Sequence, residues 1–143
     1  MLDQLKKEIK EHEGFVNKIY KCSENFDTIF YGHKVTPEDS YEHGVEYSKE
    51  MGEEVFEKDF QRTLDAAERL IADRPINNIA KEVIINMVYQ IGEGGVSKFK
   101  NFFKALDKED YGEASFQMLD SLWAKQTPNR ANKLAAKMRS AKL

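Results

Sequence analysis

The sequence lacks most of the features that mark disulfide-linked, metal-dependent or membrane-spanning proteins. Its 143 residues include one cysteine, Cys22, so neither an intramolecular disulfide nor a cysteine metal cluster can form. No stretch approaches the roughly 20 apolar residues of a membrane span. The chain also does not open with an apolar segment followed by a small-residue cleavage site. We therefore expect a protein that is made and remains in a cytoplasm.

Motifs for cofactors and for nucleophilic catalysis are also missing. The sequence has no glycine-rich phosphate loop and no Ser-His-Asp pattern, and its histidines, His12, His33 and His43, lack the spacing of metal ligands. We expect no cofactor and no metal. The net charge is −3, and lysine and arginine are in excess near the C-terminus, where they usually form a solvated face. Neither a nucleic-acid partner nor a stable membrane association is expected.

The composition is typical of a folded domain. Apolar residues make up 41% of the chain and charged residues 33%, which is the balance of a globular protein. A chain of this length buries about two-thirds of its unfolded surface, so a stable core needs no disulfide or metal. We expect one domain that acts as a monomer.

The spacing of apolar residues in the first half predicts two helices. Within residues 2–12, apolar residues recur every three or four positions, which predicts a helix that ends near Glu13. Gly14 is a natural stop for this helix. Residues 55–71 sustain the same periodicity and predict a long helix that ends near Asp73.

The second half of the sequence predicts helices only. Pro75 suits the first turn of a helix that is apolar over too wide an arc for a protein surface, and the glycines of residues 92–95 stop it. Shorter helices are predicted around residues 96–106, 110–123 and 127–140. Thr127 suits the N-cap of the last one.

Between the first two helices the pattern changes to β-branched and aromatic residues. Residues 16–21 and 26–30 flank a polar break at residues 22–25 and predict a short β-hairpin. A polar loop is predicted around residues 36–40. One hairpin among helices makes the expected fold class α+β and mainly helical.

Three polar residues frame this hairpin. Glu13 ends the first helix, Cys22 follows nine positions later, and Thr28 follows after six more. A hairpin brings Cys22 and Thr28 towards each other. Each residue alone is weak evidence, because an isolated cysteine is usually a small buried hydrophobe and a threonine is ordinary in a strand. Their joint spacing is the informative feature.

This spacing, Glu-x8-Asp/Cys-x5-Thr, resembles the catalytic motif of the phage-type, T-even-like lysozymes, the endolysin muramidases of glycoside hydrolase family 24. Residues 85–93 resemble the central helix of that family. Trp123 and residues 126–131 resemble its late, cleft-facing segment. The matches follow the family order over nearly the whole chain.

The sequence departs from the family pattern near the motif. The family has aspartate or cysteine at the position of Cys22. The pattern Thr-x-Gly-x-Gly-His has Phe30 in place of its first glycine, which would reshape the cleft floor or narrow a sugar subsite. The segment between His33 and the long helix is short, which implies that a small-lobe helix is missing.

The resemblance implies a lysozyme-like fold of two lobes with a cleft between them. It assigns about residues 14–50 to a small β-hairpin lobe and about residues 51–73 to a linking helix. About residues 75–143, together with the N-terminal helix, form a larger helical lobe. These parts make up a single phage-type lysozyme domain.

The resemblance also implies hydrolysis of the β-1,4 bond between N-acetylmuramic acid and N-acetylglucosamine in bacterial peptidoglycan. Glu13 is the general acid, while Cys22 and Thr28 position or activate a water that inverts the anomeric carbon. A free thiol has a pKa of about 8.5, so activity that depends on the Cys22 thiolate rises with pH. Direct attack by Cys22, with a covalent intermediate and retention, stays open.

Further site residues follow from the resemblance alone. Positions near the sugars correspond to Lys34, Tyr89, Gln90, Phe102 and Gln117. His33 and Asp59 correspond to a supporting ion pair, and Arg130 to a charge near Glu13. The aromatic residues are equally suited to a core and Lys34 to a solvated loop, while Trp123 fits a core better than a sugar platform.

The implied biological role is that of an endolysin that lyses a host bacterium. Such a protein accumulates in the cytoplasm and reaches the periplasmic wall after a holin-type lesion. A catalytically silent homologue, which binds peptidoglycan or forms part of a virion, stays open as a second function. A lytic transglycosylase, which releases anhydro sugars, is a third, and the pair of Cys22 and Thr28 argues against it.

Overall fold

The computed structural model describes residues 2–141 and divides the chain into two compact units. The first unit is Met1–Arg62 and the second unit is Thr63–Leu143. The helices are α1 (Asp3–Glu13), α2 (Lys49–Ile71), α3 (Asn78–Ser97), α4 (Lys100–Asp107), α5 (Tyr111–Leu119), α6 (Leu122–Gln126) and α7 (Pro128–Ser140). The strands are β1 (Val16–Lys21), β2 (Asp27–Phe30) and β3 (His33–Lys34). The mainly helical α+β class is confirmed, while the division into lobes and a linking helix stays a prediction.

Helix α1 ends at Glu13, as its apolar spacing predicts. Gly14 has a φ of 73° and donates its N–H to the Lys10 carbonyl oxygen at 2.8 Å, which closes the last turn. The ammonium group of Lys10 pairs with the carboxylate of Glu53 in α2. The helix that carries Glu13 is therefore attached to α2 within the first unit.

The predicted hairpin is present and carries a third strand. The strands pair in the antiparallel order β1-β2-β3. Thr28 of β2 lies opposite Tyr20 of β1 and Lys34 of β3, so these three side chains share one face of the sheet. The β3 strand has two residues, too few for an alternating pattern to predict it. Among the described residues no helix lies between β3 and α2, as the short segment implies.

Phe30 lies at the centre of an aromatic cluster in the first unit. Its ring is fully buried, with centroid distances of 6.1 Å to Phe15, 5.4 Å to Tyr41 and 6.3 Å to Tyr47. Its φ of 59° falls in the left-handed region that favours glycine. The ring belongs to the core, which corrects the expectation that it shapes a cleft floor.

Gly52 of α2 leaves room for this aromatic cluster. A Cβ at position 52 would lie 2.6 Å from the ring of Phe15 and 3.0 Å from the ring of Phe30. Two rings therefore occupy the space that a side chain would need, and only glycine fits where the helix passes them.

The second unit contains the buried helix α3. Residues 83–88 are all buried, as the wide apolar arc predicts. Asn77 precedes the helix, and its side-chain oxygen accepts an N–H of the first turn at 3.1 Å. The prediction that Pro75 opens the helix is wrong, because Asn77 supplies the cap. At Gly92 a φ of 77° and a ψ of 168° leave the helical region and divide α3 into two helical segments. The predicted stop of the apolar helix at this glycine is confirmed, and a second segment continues to Ser97.

The later helices differ from their predicted bounds for local reasons. The helix predicted over residues 110–123 is two helices, because the Ser121 hydroxyl accepts a backbone N–H of α6 at 3.1 Å and caps it. α7 begins at Pro128, but Thr127 does not cap it and donates to the Trp123 carbonyl oxygen at 3.0 Å instead. Within residues 2–141, none of the helices combines the length and the apolarity that a membrane crossing requires.

Replacement of Phe30 by glycine tests whether ring burial outweighs backbone strain. Relief of the left-handed backbone strain raises the free energy of unfolding by about 1 kcal/mol. Loss of the buried ring lowers it by about 3–5 kcal/mol. We expect Phe30→Gly to lower the free energy of unfolding by about 2–4 kcal/mol in urea titrations.

The matched control is Glu109→Gly, at an exposed residue with a φ of 54°. This change relieves similar strain without loss of burial, so we expect a small gain in stability. An unchanged urea midpoint for Phe30→Gly would contradict the assignment of its ring to the core.

Candidate active site

The three residues of the predicted catalytic group lie in the first unit, around one sheet. Glu13 is the last residue of α1, and Gly14 turns the chain towards β1. Cys22 directly follows β1, and Thr28 is the second residue of β2. The Asn25 N–H donates to the Cys22 carbonyl oxygen at 2.8 Å and closes the turn between the strands. The hairpin thus brings Cys22 and Thr28 together.

The hydroxyl of Thr28 has one acceptor fixed by the hairpin. It donates to the Phe26 carbonyl oxygen at 3.0 Å. The Thr28 side chain is also one of the groups that lower the pKa of the Cys22 thiol. Thr28 therefore favours the ionised form of Cys22.

The pKa of the Cys22 thiol lies below its ordinary value. Partial burial raises this pKa, but hydrogen bonds from the backbones of Phe26 and Glu24 lower it. The Thr28 hydroxyl and the positive charge of Lys34 act in the same direction and complete the net lowering. A larger share of Cys22 is then thiolate near neutral pH than in a free cysteine.

Sequence analysis missed Tyr20, which lies opposite Thr28 on the shared sheet face. Burial raises the pKa of Tyr20, and the negative charges of Glu13 and Cys22 raise it further. Tyr20 therefore lies in the electric field of two of the three predicted catalytic groups. Alternation along β1 assigns Tyr20 to a face, but only the pairing register places it beside Thr28.

The carboxyl group of Glu13 lies directly against Gly32. A Cβ at position 32 would overlap Oε1 of Glu13 and lie 3.0 Å from its Cδ. Gly32 precedes β3 and has a φ of 70°. In the sequence this glycine is part of a family pattern, and nothing in its spacing connects it with Glu13.

The ring of His33 is held from both sides. Nδ1 lies 2.8 Å from the carboxylate of Asp59 in α2, and Nε2 lies 2.9 Å from Asp39. Burial alone would lower the pKa of His33, but the hydrogen bonds and charges of both carboxylates outweigh it and raise this pKa. The resemblance gave Asp59, whereas Asp39 lies in a loop whose spacing carries no signal.

The His33 group is not arranged as a metal site. Within the described part of the chain, no group of three or more His, Cys, Asp or Glu side chains is placed to hold a metal ion. Both ring nitrogens of His33 are engaged by carboxylates, and these carboxylates also bind Thr36 and Arg62.

Two predicted residues of the second unit are engaged in internal hydrogen bonds. Gln90 accepts the indole N–H of Trp123 at 2.8 Å, and Trp123 is 6% exposed, so its assignment to the core is confirmed. Arg130 is buried and donates from Nη2 to Asn86 Oδ1 at 2.7 Å. The substrate role of Gln90 and the proximity of Arg130 to the general acid stay predictions.

The remaining sugar-contacting candidates differ in exposure. Lys34 is exposed, and its ammonium lies 5.0 Å from the centroid of the Phe26 ring. Phe102 is fully buried in the second unit, whereas Tyr89 and Gln117 are partly exposed. Their contacts with sugars stay predictions.

Comparison with known proteins identifies the family. The model of the phage lysozyme family matches residues 10–141. The chain belongs to this family. It is 31% identical over 161 residues to the probable T4-type lysozyme 1 of Dictyostelium discoideum, an alignment that covers 94% of this chain and 92% of the relative.

Two phage proteins are similar over part of their length. The chain is 28% identical over 148 residues to the pre-baseplate central spike protein Gp5 of Enterobacteria phage T4, covering 88% of this chain and 26% of that protein. It is 27% identical over 136 residues to the peptidoglycan hydrolase gp36 of Pseudomonas phage phiKMV, covering 93% of this chain and 15% of that protein. Segments similar to this chain thus occur within longer phage proteins.

Removal of the His33 ring should destabilise this lysozyme in a pH-dependent way. His33→Asn removes the partner that the carboxylates of Asp39 and Asp59 share, while Thr36 and Arg62 stay beside them. We therefore expect a loss of about 2 kcal/mol near pH 6. Because the pKa of His33 is raised, its contribution is complete below the unfolded value of about 6.5 and fades as pH rises through the folded value.

The acid side of this profile depends on Asp39. Burial raises its pKa, but the Thr36 N–H and His33 outweigh burial and lower it, so its contribution fades as pH falls below about 4. Urea titrations at several pH values measure both limbs. The control is His43→Asn, whose ring is 68% exposed beside Asp27 and should cost less than about 1 kcal/mol. Equal losses for both variants would refute the assignment.

Replacement of Thr28 by valine tests the effect of its hydroxyl on the pKa of Cys22. Thr28→Val keeps the side-chain shape and removes the hydroxyl, so we expect the pKa of Cys22 to rise and alkylation by iodoacetamide to shift to higher pH. Thr127→Val, in the second unit, should leave the profile unchanged. An unshifted profile for Thr28→Val would show that the hydroxyl does not stabilise the thiolate.

Proposed function

We propose that this lysozyme hydrolyses the β-1,4 bond between N-acetylmuramic acid and N-acetylglucosamine in bacterial peptidoglycan. The observation that carries the proposal is the hairpin that places Cys22 at the end of β1 and Thr28 in β2, in the same unit as Glu13, with a lowered pKa for the thiol. Similarity to a protein named as a peptidoglycan hydrolase supports the choice of substrate.

In the proposed mechanism the glycosidic oxygen receives a proton and the anomeric carbon receives a water molecule. Glu13 gives its proton to the leaving glycosidic oxygen as the bond from the anomeric carbon breaks. A water molecule held by Thr28 forms the new bond from the opposite side and gives a proton to the Cys22 thiolate. The product is inverted, and solvent returns the proton from Cys22 to Glu13.

The lowered pKa of Cys22 sets the pH dependence of this reaction. Activity rises as pH passes through the thiol pKa, because only the thiolate accepts the proton of water. In Cys22→Asp the base is a carboxyl group with an ordinary pKa of about 3.9. The rise in activity should therefore move to lower pH.

A retaining mechanism is the alternative at the same residues. There the Cys22 thiolate attacks the anomeric carbon, the leaving oxygen takes the Glu13 proton, and water later cleaves the glycosyl–sulfur bond. The anomer of the first-formed product, read by NMR, distinguishes retention from inversion.

We further propose that the protein acts as a monomeric endolysin. It accumulates in the cytoplasm of the host and lyses the cell after a holin-type lesion gives access to the wall. A virion-associated role is the second candidate, because the related central spike protein of phage T4 contains a segment similar to this chain.

Digestion of purified peptidoglycan tests the proposal. Wild type should release products with reducing N-acetylmuramic acid ends, identified by mass spectrometry. Glu13→Gln should lower kcat by about 100-fold or more, because general acid catalysis is lost. Glu11→Gln is the matched control, since Glu11 is an exposed carboxylate of the same helix and should retain activity.

The other functions predict different outcomes. Anhydro ends would identify a lytic transglycosylase. A folded wild type that binds peptidoglycan without releasing products would identify a silent homologue. Activity that survives in Glu13→Gln would remove Glu13 from the role of general acid.

A further inference from the structure

We propose that Gly32 is a positioning residue for Glu13, because the missing side chain at position 32 provides the space that the Glu13 carboxyl occupies. The catalytic meaning of this inference rests on the proposed function. The contact itself does not depend on it.

The carboxyl group lies where a side chain of residue 32 would begin. A Cβ at Gly32 would overlap Oε1 of Glu13 and lie 3.0 Å from Cδ and 3.5 Å from Cγ. These are the three nearest heavy atoms, and all belong to Glu13. Every residue other than glycine would therefore compete with the general acid for the same space.

The chain before Gly32 is anchored in the first unit. Phe30 is fully buried in the aromatic cluster. Tyr31 is buried, and its hydroxyl donates to Glu53 of α2 at 2.8 Å. Burial raises the pKa of Tyr31 to about 12, together with the hydrogen bond and the charge of Glu53. The phenol therefore keeps its proton at neutral pH and can donate it to Glu53.

The chain after Gly32 is anchored as strongly. His33 is 11% exposed and is held by Asp59 of α2 on one side and by Asp39 on the other. Thr36 donates its N–H to the same Asp39 carboxylate at 2.8 Å. The backbone at Gly32 is thus fixed from both directions and cannot retreat from a new Cβ.

The movable partner in this contact is the carboxyl of Glu13. It is the far end of a side chain with several rotatable bonds, whereas Gly32 lies between fixed neighbours. An added methyl should therefore displace the carboxyl from its place and leave the fold intact. A displacement of about 1 Å at a reacting group is enough to cost about 100-fold in rate.

Two other glycines of the same unit provide matched controls. Gly44 has a φ of 81°, and a Cβ there would meet nothing within 4 Å, so Gly44→Ala reproduces the backbone strain without the contact. Gly52→Ala reproduces a severe overlap, but with the rings of Phe15 and Phe30 instead of Glu13.

The kinetic test compares the three alanine variants on peptidoglycan. We expect Gly32→Ala to lower kcat by about 100-fold and to change KM by less than about threefold, because the loss falls on the chemical step. Gly44→Ala should retain kcat. Gly52→Ala should lower the unfolding midpoint while its folded fraction retains kcat.

A rescue variant separates positioning from a structural role. Glu13→Asp shortens the side chain and withdraws its carboxyl from position 32, so it loses activity on its own. In this background Gly32→Ala should cause little further loss in kcat, because the two effects are not additive. Equal losses in both backgrounds would contradict the inference.

An NMR readout tests the contact without any turnover. Wild type should show a nuclear Overhauser effect between the Gly32 Hα and Glu13 Hγ protons. It should also show a Glu13 carboxyl carbon resonance that is displaced in Gly32→Ala and unchanged in Gly44→Ala. This resonance is assigned by its absence in Glu13→Gln.

Each outcome decides either the inference or the proposed function. Absence of the Overhauser effect in wild type, an unmoved carboxyl resonance in Gly32→Ala, or failure of that variant to fold would overturn the inference. If folded wild type releases no products, the proposed function fails, while the NMR result still decides whether Gly32 positions the carboxyl.

Discussion

The carboxylate of Glu53 in α2 joins the two parts of the chain that carry the candidate site. One oxygen accepts the Tyr31 hydroxyl at 2.8 Å, and the other pairs with Lys10. The hydrogen bond from Lys10, outweighing burial and helped by Tyr31, holds the pKa of Glu53 below its ordinary value. Lys10 belongs to the helix that ends at Glu13, and Tyr31 directly precedes Gly32. The ionised side chain of Glu53 thus fixes the helix that ends at Glu13 relative to the segment that contains Gly32.

The hairpin supplies the groups that favour ionisation of the Cys22 thiol, which the proposed mechanism requires of a base. A carboxylate is ionised at neutral pH without help, whereas a free thiol is mostly neutral. The backbones of Phe26 and Glu24 and the hydroxyl of Thr28 all stabilise a charge on Cys22. These groups are fixed by the turn and the strand pairing, so the ionisation of Cys22 depends on the local fold.

The sequence predicts the parts of this structure that depend on neighbours along the chain. The end of α1 at Glu13 follows from apolar spacing and Gly14, and the approach of Thr28 to Cys22 follows from the hairpin. Contacts between distant segments were not predictable, because nothing near Gly32 in sequence indicates that the Glu13 carboxyl lies on it. The Asp39 partner of His33 was missed for the same reason. Caps were misjudged where a second candidate lay nearby, as with Asn77 after Pro75.

The buried ring of Phe30 fills the space that a side chain at Gly52 would otherwise need. A glycine at position 30, as in the pattern of the family, leaves the space of this ring beside α2 empty. A side chain at position 52 then has room on that side, although Phe15 still limits its size. The two positions are therefore expected to vary together among relatives, with a large residue at one accompanied by a small residue at the other. Their covariation would record a core contact in sequences for which no structure has been determined.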